Sequence, residues 1–192
     1  AVGHNALLAA TGSNNTAVGA LAGDAISTGT QNTALGSSAL SALTTASNST
    51  AVGYNALLAA TGAQNTALGA LAGDSVTTGP DNTLIGYQAG AAITIGQRVT
   101  AVGSGAAALT TSDAIGAIGH QALTALTTGI DNVAVGAFAL DGLSTGAGHT
   151  AVGHASLTNA TGDDCTAVGG AALSNVSSGN SNTGIGRNAG NG

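Results

Sequence analysis

Lysine, glutamate, tryptophan and methionine are absent from this chain of 192 residues; cysteine and phenylalanine occur once each and tyrosine twice. Each absence removes a class of chemistry or partner. Two arginines against eight aspartates leave a net charge of −6 and no basic patch for a phosphate backbone, so nucleic acid is not an expected partner. Without lysine, a phosphate-binding loop of the Walker type is excluded. A lone Cys165 closes no intrachain disulfide. No apolar run reaches membrane-spanning length, and no signal peptide is visible. The shortage of aromatics also bears on folding. Although 43% of the residues are hydrophobic, most of these are alanine, and few side chains can bury the area that normally offsets chain entropy. The 32 glycines add to that entropy.

What the chain does have is repetition. "AVGHNALLAATG" at Ala1 returns as "AVGYNALLAATG" at Ala51, with one residue changed. The glycine closing each such triplet marks twelve units: Gly3, Gly19, Gly36, Gly53, Gly69, Gly86, Gly103, Gly119, Gly136, Gly153, Gly169 and Gly186. The spacings run 16, 17, 17 and repeat in that order, a superperiod of fifty residues. An aliphatic residue precedes every marker: Val2, Val18, Leu35, Val52, Leu68, Ile85, Val102, Ile118, Val135, Val152, Val168 and Ile185. Ahead of that stands Ala in ten units, with Leu84 and Gly184 as departures, and Thr comes before it in nine of eleven, with Gly116 and Val133 as departures. Ala follows three residues after the marker in eleven units, Ser156 being the other case. The consensus is N-T-A-V-G-x-x-A-L closed by T-G or S-G. The whole of 1–192 reads as one repeat array, and since it starts and stops inside a unit it is expected to be an excerpt of a longer fibre.

"NTAVG" predicts a short strand, with Thr and Val on one face and Ala and Gly on the other. The stretch after it, "NALLAATG", predicts either a second short strand or a single helical turn, with T-G as the corner. One unit cannot bury its own aliphatic face, whereas stacked units can. The fold expected is therefore all-β, a parallel β-solenoid in which the residues from Val2 to Ile185 form an internal aliphatic column and the bare Ala/Gly face packs against a neighbour. On this reading Val52→Asp unfolds the stack and the same change at Tyr54 is mild. Asn15, Asn32, Asn65, Asn82, Asn132 and Asn182 would form a partial ladder of amides bonded to one another. The superperiod admits two readings: a duplicated block of three narrow coils, or a wide circuit of fifty residues with three sides. The narrow rod is favoured, and its sparse core implies that a single copy needs association for stability.

"NTAVGALA", "NTALGALA" and "NVAVGAFA" resemble the left-handed β-roll repeats in the heads of trimeric autotransporter adhesins, and more closely the "NTALGYNAL" arrays of phage tail-fibre and bacterial surface proteins. The resemblance covers essentially the whole chain. It implies a homotrimeric or filamentous shaft at a cell surface or on a virion, displaying a tip outside this segment that binds a host receptor or glycan.

Candidate chemistry is thin. "GIGRNAG" from Gly184 fits a dinucleotide fingerprint, but it is the ordinary repeat, and no βαβ unit can follow it. His4, Tyr54, Ser104 and His154 share one phase of the superperiod and His120 the corresponding place in another unit, which reads as a solvated or interface column. Ligands of a metal do not converge in sequence. His149 and His154 fall on opposite faces of a continuous strand. Asp163, Asp164 and Cys165 read as a turn with water-facing carboxylates. Asp24 and Asp74 occupy one repeat position, too few for a calcium solenoid. The sequons at Asn14, Asn48, Asn159 and Asn175 are what an Asn/Thr-rich repeat produces by chance. No catalytic constellation stands out, so no cofactor and no enzymatic activity are expected. The reading is a structural or adhesive extracellular fibre segment; the alternative is an ice-binding solenoid, provided its threonines face outward, although Gly116 and Val133 interrupt their column.

Overall fold

The computed structural model describes residues 1–176 and 178–191. Eleven three-residue strands recur along it: β1 (Thr16–Val18), β2 (Thr33–Leu35), β3 (Thr50–Val52), β4 (Thr66–Leu68), β5 (Thr83–Ile85), β6 (Thr100–Val102), β7 (Gly116–Ile118), β8 (Val133–Val135), β9 (Thr150–Val152), β10 (Thr166–Val168) and β11 (Thr183–Ile185). They form one parallel sheet in chain order. Thr16 pairs with Thr33, Ala17 with Ala34 and Val18 with Leu35, and that register persists to β11. Val2 adds a single bridge to Val18. Each turn of this β-solenoid thus consumes one repeat unit, and the narrow rod is the architecture found; the fifty-residue circuit is not.

The segment after each marker is neither a second strand nor a helical turn. It is a run of tight turns, because two of its residues take left-handed φ: the second after the marker (Ser38 57°, Asn55 54°) and the fourth (Leu40 53°, Leu57 50°). That backbone costs a bulky residue about 1–2 kcal/mol. Here it is offset, since Leu40 and Leu57 are fully buried and their N–H groups donate to Ala56 and Ala72 of the next coil at 3.1 and 3.0 Å. Ser38 N–H likewise donates to the Ala20 carbonyl at 2.9 Å. The turns are therefore laddered coil to coil as the strands are.

The marker glycines are set by two constraints at once. Gly69 has φ 140°, and a Cβ there would lie 2.5 Å from the carbonyl oxygen of Gly86 in the next coil. The same approach recurs from Gly3 on Gly19 to Gly169 on Gly186. No other residue combines that backbone direction with that closeness.

The interior reverses the expected assignment of the two faces. The middle residue of every strand is buried: Ala17, Ala51 and Ala101 are wholly so, as are their equivalents along the sheet. The aliphatic column lies outside. Val2, Val18, Leu35, Leu68, Ile118, Val152, Val168 and Ile185 are exposed, and Val52, Ile85, Val102 and Val135 are half-buried. The reason is room. A coil of 16 or 17 residues is too narrow for a large side chain opposite the turns, whose own Leu and Ile already fill the centre: Leu40, Leu43, Leu123, Leu126, Leu140 and Leu143 are fully buried. Leu84 supports this from the opposite direction. It replaces the inward Ala of β5, and its methyl carbons lie where the Cβ atoms of Gly73 and Gly90 would stand, at 2.5 and 2.7 Å. A large residue enters the strand position there because two glycines vacate the turn position on either side.

Candidate functional site

Among the polar side chains, the first to account for are the buried ones. The Asn column forms a ladder, but its amides bond to backbone, not to one another. Asn82 Nδ2 donates to the Gly96 carbonyl at 2.9 Å, and its Oδ1 accepts from the N–H of Val99 at 2.9 Å. Asn32 serves Ala46 and Ser49 in the same way, Asn65 serves Gly79 and Asn82, and Asn132 serves Gly146 and His149. Each of these four amides thus ties its coil to the corner of the next, whereas Asn182 Nδ2 donates to the Gly179 carbonyl of its own coil at 3.0 Å and to Cys165 Sγ. His149 and Cys165 occupy this ladder register, which the sequence reading did not recognise. Both are wholly buried. His149 Nδ1 accepts from the Cys165 N–H at 3.2 Å, while its Nε2 has no hydrogen-bond partner among the described residues. Burial holds the imidazole below the usual histidine range, opposed in part by the Gly162 carbonyl, which does not reach hydrogen-bond geometry, and by Asp163 and Asp164.

A second ladder explains the aspartates at the corner. Asp163 Oδ1 accepts from the Ala147 N–H at 3.0 Å, Asp113 Oδ1 from the Gln97 N–H at 3.0 Å, and Ser47 Oγ from the Thr30 N–H at 2.9 Å. These oxygens cap backbone donors of the preceding coil. Asp163 and Asp164 are exposed and Asp164 has φ 58°, in keeping with a turn whose carboxylates face water. Asp24 accepts from Ser41 Oγ at 2.8 Å. Asp74 keeps one buried oxygen without a partner among the described residues, and desolvation raises its pKa above the usual carboxylate value. Asp141 is raised for the same reason, opposed by the backbone N–H groups of Asp141 and Gly142 and, less, by His154.

The column of His4, Tyr54, Ser104, His120 and His154 is exposed. Phe138 sits edge-on between His120 and His154, with ring centroids 5.3 and 5.9 Å away. No group of three or more His, Cys, Asp or Glu able to hold a metal occurs among the described residues, and no helix is long and apolar enough to cross a membrane. Gly184 to Gly190 is an ordinary coil carrying β11. Asn14 and Asn48 lie at exposed left-handed corners and Asn159 is exposed; the sequon at Asn175 is completed by residue 177, outside the described residues. A recess of about 450 Å³ opens at the corner of one short coil, flanked by Ile95 and Ile130, with Asp113 held by Gln97 at its floor.

What remains is the outer face of the sheet, and it is the most regular surface of the rod. Two columns stand on it: Thr16, Thr33, Thr50, Thr66, Thr83, Thr100, Thr150, Thr166 and Thr183, interrupted by Gly116 and Val133, and beside them the aliphatic column from Val18 to Ile185. Neighbours repeat about 4.8 Å apart along the rod, and the columns lie about 7 Å apart across it. No family model matches this chain, and no curated protein or solved structure compared with it matches either. Function is therefore argued from the geometry. The outer face offers an ordered, uncharged array of methyl and hydroxyl groups.

Proposed function

We propose that the chain is a shaft segment of an extracellular structural or adhesive fibre, at a cell surface or on a virion, that associates with copies of itself as a homotrimer or filament and carries no catalysis. The observation supporting this is the unbroken ladder of eleven parallel strands in one register. Such a stack extends by adding coils and gains length without a new fold. Any receptor or glycan would be met by a tip outside this segment. The test is to append further fifty-residue blocks and measure the particle by small-angle scattering or electron microscopy. Length should rise by about 14 Å per block, three strand spacings. A particle that thickens without lengthening would overturn the reading.

A second reading has a specific observation in its favour. The threonines of the strands point outward, the condition on which an ice-binding solenoid depends. Thermal hysteresis at micromolar protein would support it, and its absence would remove it.

A further inference from the structure

The outer face of the sheet carries no charge anywhere along the rod. All eight aspartates, both arginines and all four histidines lie outside the eleven strands. The aliphatic column is exposed in two-thirds of its units, with Leu35 at 44%, Leu68 at 49% and Ile118 at 45%, and half-buried at Val52, Ile85, Val102 and Val135 between them. Apolar surface left uncovered in one continuous stripe marks an interaction site. Its extent can be worked out from strand geometry: ten spacings of about 4.8 Å give a strip about 50 Å long, and two outward columns with their side chains make it about 10 Å wide. That is about 500 Å² on one chain. Two chains meeting face to face would bury about 1,000 Å², the size at which specific protein contacts begin.

The occupant must match the strip's repeat. A partner that repeats at a different spacing and fits one coil falls out of step within a few more, whereas a second copy of this chain repeats at the same spacing over the whole length. Charge points the same way. The carboxylates stand on turns and corners, so copies meeting on the strip bring no column of like charges into a dry contact, where each would be strongly destabilising. We infer that the threonine and aliphatic face of the sheet is where copies of this chain meet. The inference rests on the fibre reading and names the surface through which that fibre is held together.

The experiment is sedimentation equilibrium on the full chain, on the triple variant Leu35→Lys, Leu68→Lys, Ile118→Lys, and on Leu109→Lys as a control. Leu109 is exposed on the turn segment, away from the strands. The wild type and the control should associate alike, and the triple variant should sediment as a folded monomer with an unchanged circular dichroism spectrum. If the triple variant fails to fold, Thr66→Arg with Thr100→Arg places charge on the same face at exposed positions while leaving every aliphatic residue in place, and should likewise abolish association. A folded face variant that keeps the wild-type stoichiometry would overturn the assignment of the surface and leave the fibre reading standing. A wild-type chain that is a stable monomer would overturn the inference, and thermal hysteresis from that monomer would assign the same face to ice.

Discussion

Replacing Gly69 by Ala tests the joint between coils at its tightest point. The new Cβ would lie 2.5 Å from the carbonyl oxygen of Gly86 and 2.7 Å from its carbon, both backbone atoms that cannot swing aside. Relief requires the two coils to part locally by most of an ångström. The hydrogen bonds spanning this joint, Gly86 N–H to the Leu68 carbonyl at 2.8 Å and Gln88 N–H to the Ala70 carbonyl at 3.1 Å, would then stretch beyond useful length. Each net bond is worth about 1 kcal/mol, and holding alanine at φ 140° adds about 1–3 kcal/mol of backbone strain. The expected loss is about 3–5 kcal/mol. Gly116→Ala is the matched control, because its Cβ meets nothing within 4 Å and its φ is ordinary; it should be neutral or stabilise by up to about 1 kcal/mol through the unfolded chain. Denaturant unfolding of both variants at one protein concentration measures the difference, since association shifts apparent stability. Hydrogen exchange would locate the weakened joint around Gly86. If Gly69→Ala falls within about 1 kcal/mol of Gly116→Ala, the close stacking of marker glycines does not limit the coil spacing and the reasoning fails.

Ala51→Asp should destabilise by about 4 kcal/mol or more, because it buries an unpaired carboxylate, whereas Val52→Asp, on the outer face, should cost the single chain under about 1 kcal/mol and act on association instead; urea titration of each against circular dichroism separates the two. Asn82→Ala leaves the Val99 N–H and the Gly96 carbonyl without their ladder partner, at about 1–3 kcal/mol for each buried group, and amide exchange at Val99 should accelerate. His149 has a pKa depressed by burial. At pH above its ordinary value both folded and unfolded states are neutral there. As pH falls below about 6.5 the unfolded chain binds a proton that the folded chain refuses, and stability drops. His149→Asn, which restores an ordinary ladder residue, should remove that slope when stability is followed from pH 8 to pH 5 (a range of order given by the usual histidine titration), and an unchanged slope would clear His149 of responsibility.

The repeat unit, the strand and the parallel stacking of like on like were legible in the sequence because spacing dictates them; that each strand pairs with the next unit and not with the one fifty residues on was favoured by the sequence and decided by the structure. Which face is inside was not legible, since a period of two is symmetric between inward and outward. The clue lay in size. The position of Ala17 and Ala34 tolerates almost nothing else, while the next position ranges over Val, Leu and Ile, and freedom of size belongs to an outer surface. The one large exception, Leu84, comes with Gly73 and Gly90 at the neighbouring turns, a compensation that only makes sense indoors. The left-handed turns could also have been read. The position of Leu40 and Leu57 is glycine in other units, at Gly23, Gly73 and Gly90, and the corner position is held by Asn14, Asn48, Asp81, Asp131 and Gly148, residue types that accept positive φ. "NALLAATG" instead suggested a helix, because leucine is a strong helix former and its propensity is overridden here by the ladder to the next coil. The Asn column was visible, but its bonding was not. Spacing aligns the amides without revealing that each reaches the backbone of the following corner. His149 and Cys165 hold the same register without being amides, so they passed as unrelated polar residues.

Because every coil meets the next through the same backbone bonds and the same glycine contact, the rod accepts changes of length in quanta. An insertion or deletion of one whole unit leaves every remaining joint as it was. A change of two or three residues within a strand or its ladder moves Ala out of the interior and a marker glycine off its neighbour, at every contact that coil makes. The outer columns are under no such rule, since nothing in the stack rests on which methyl or hydroxyl they carry. The genetic consequence is a molecule whose length can change by copying blocks and whose outer surface can change by point substitution, each without disturbing the other.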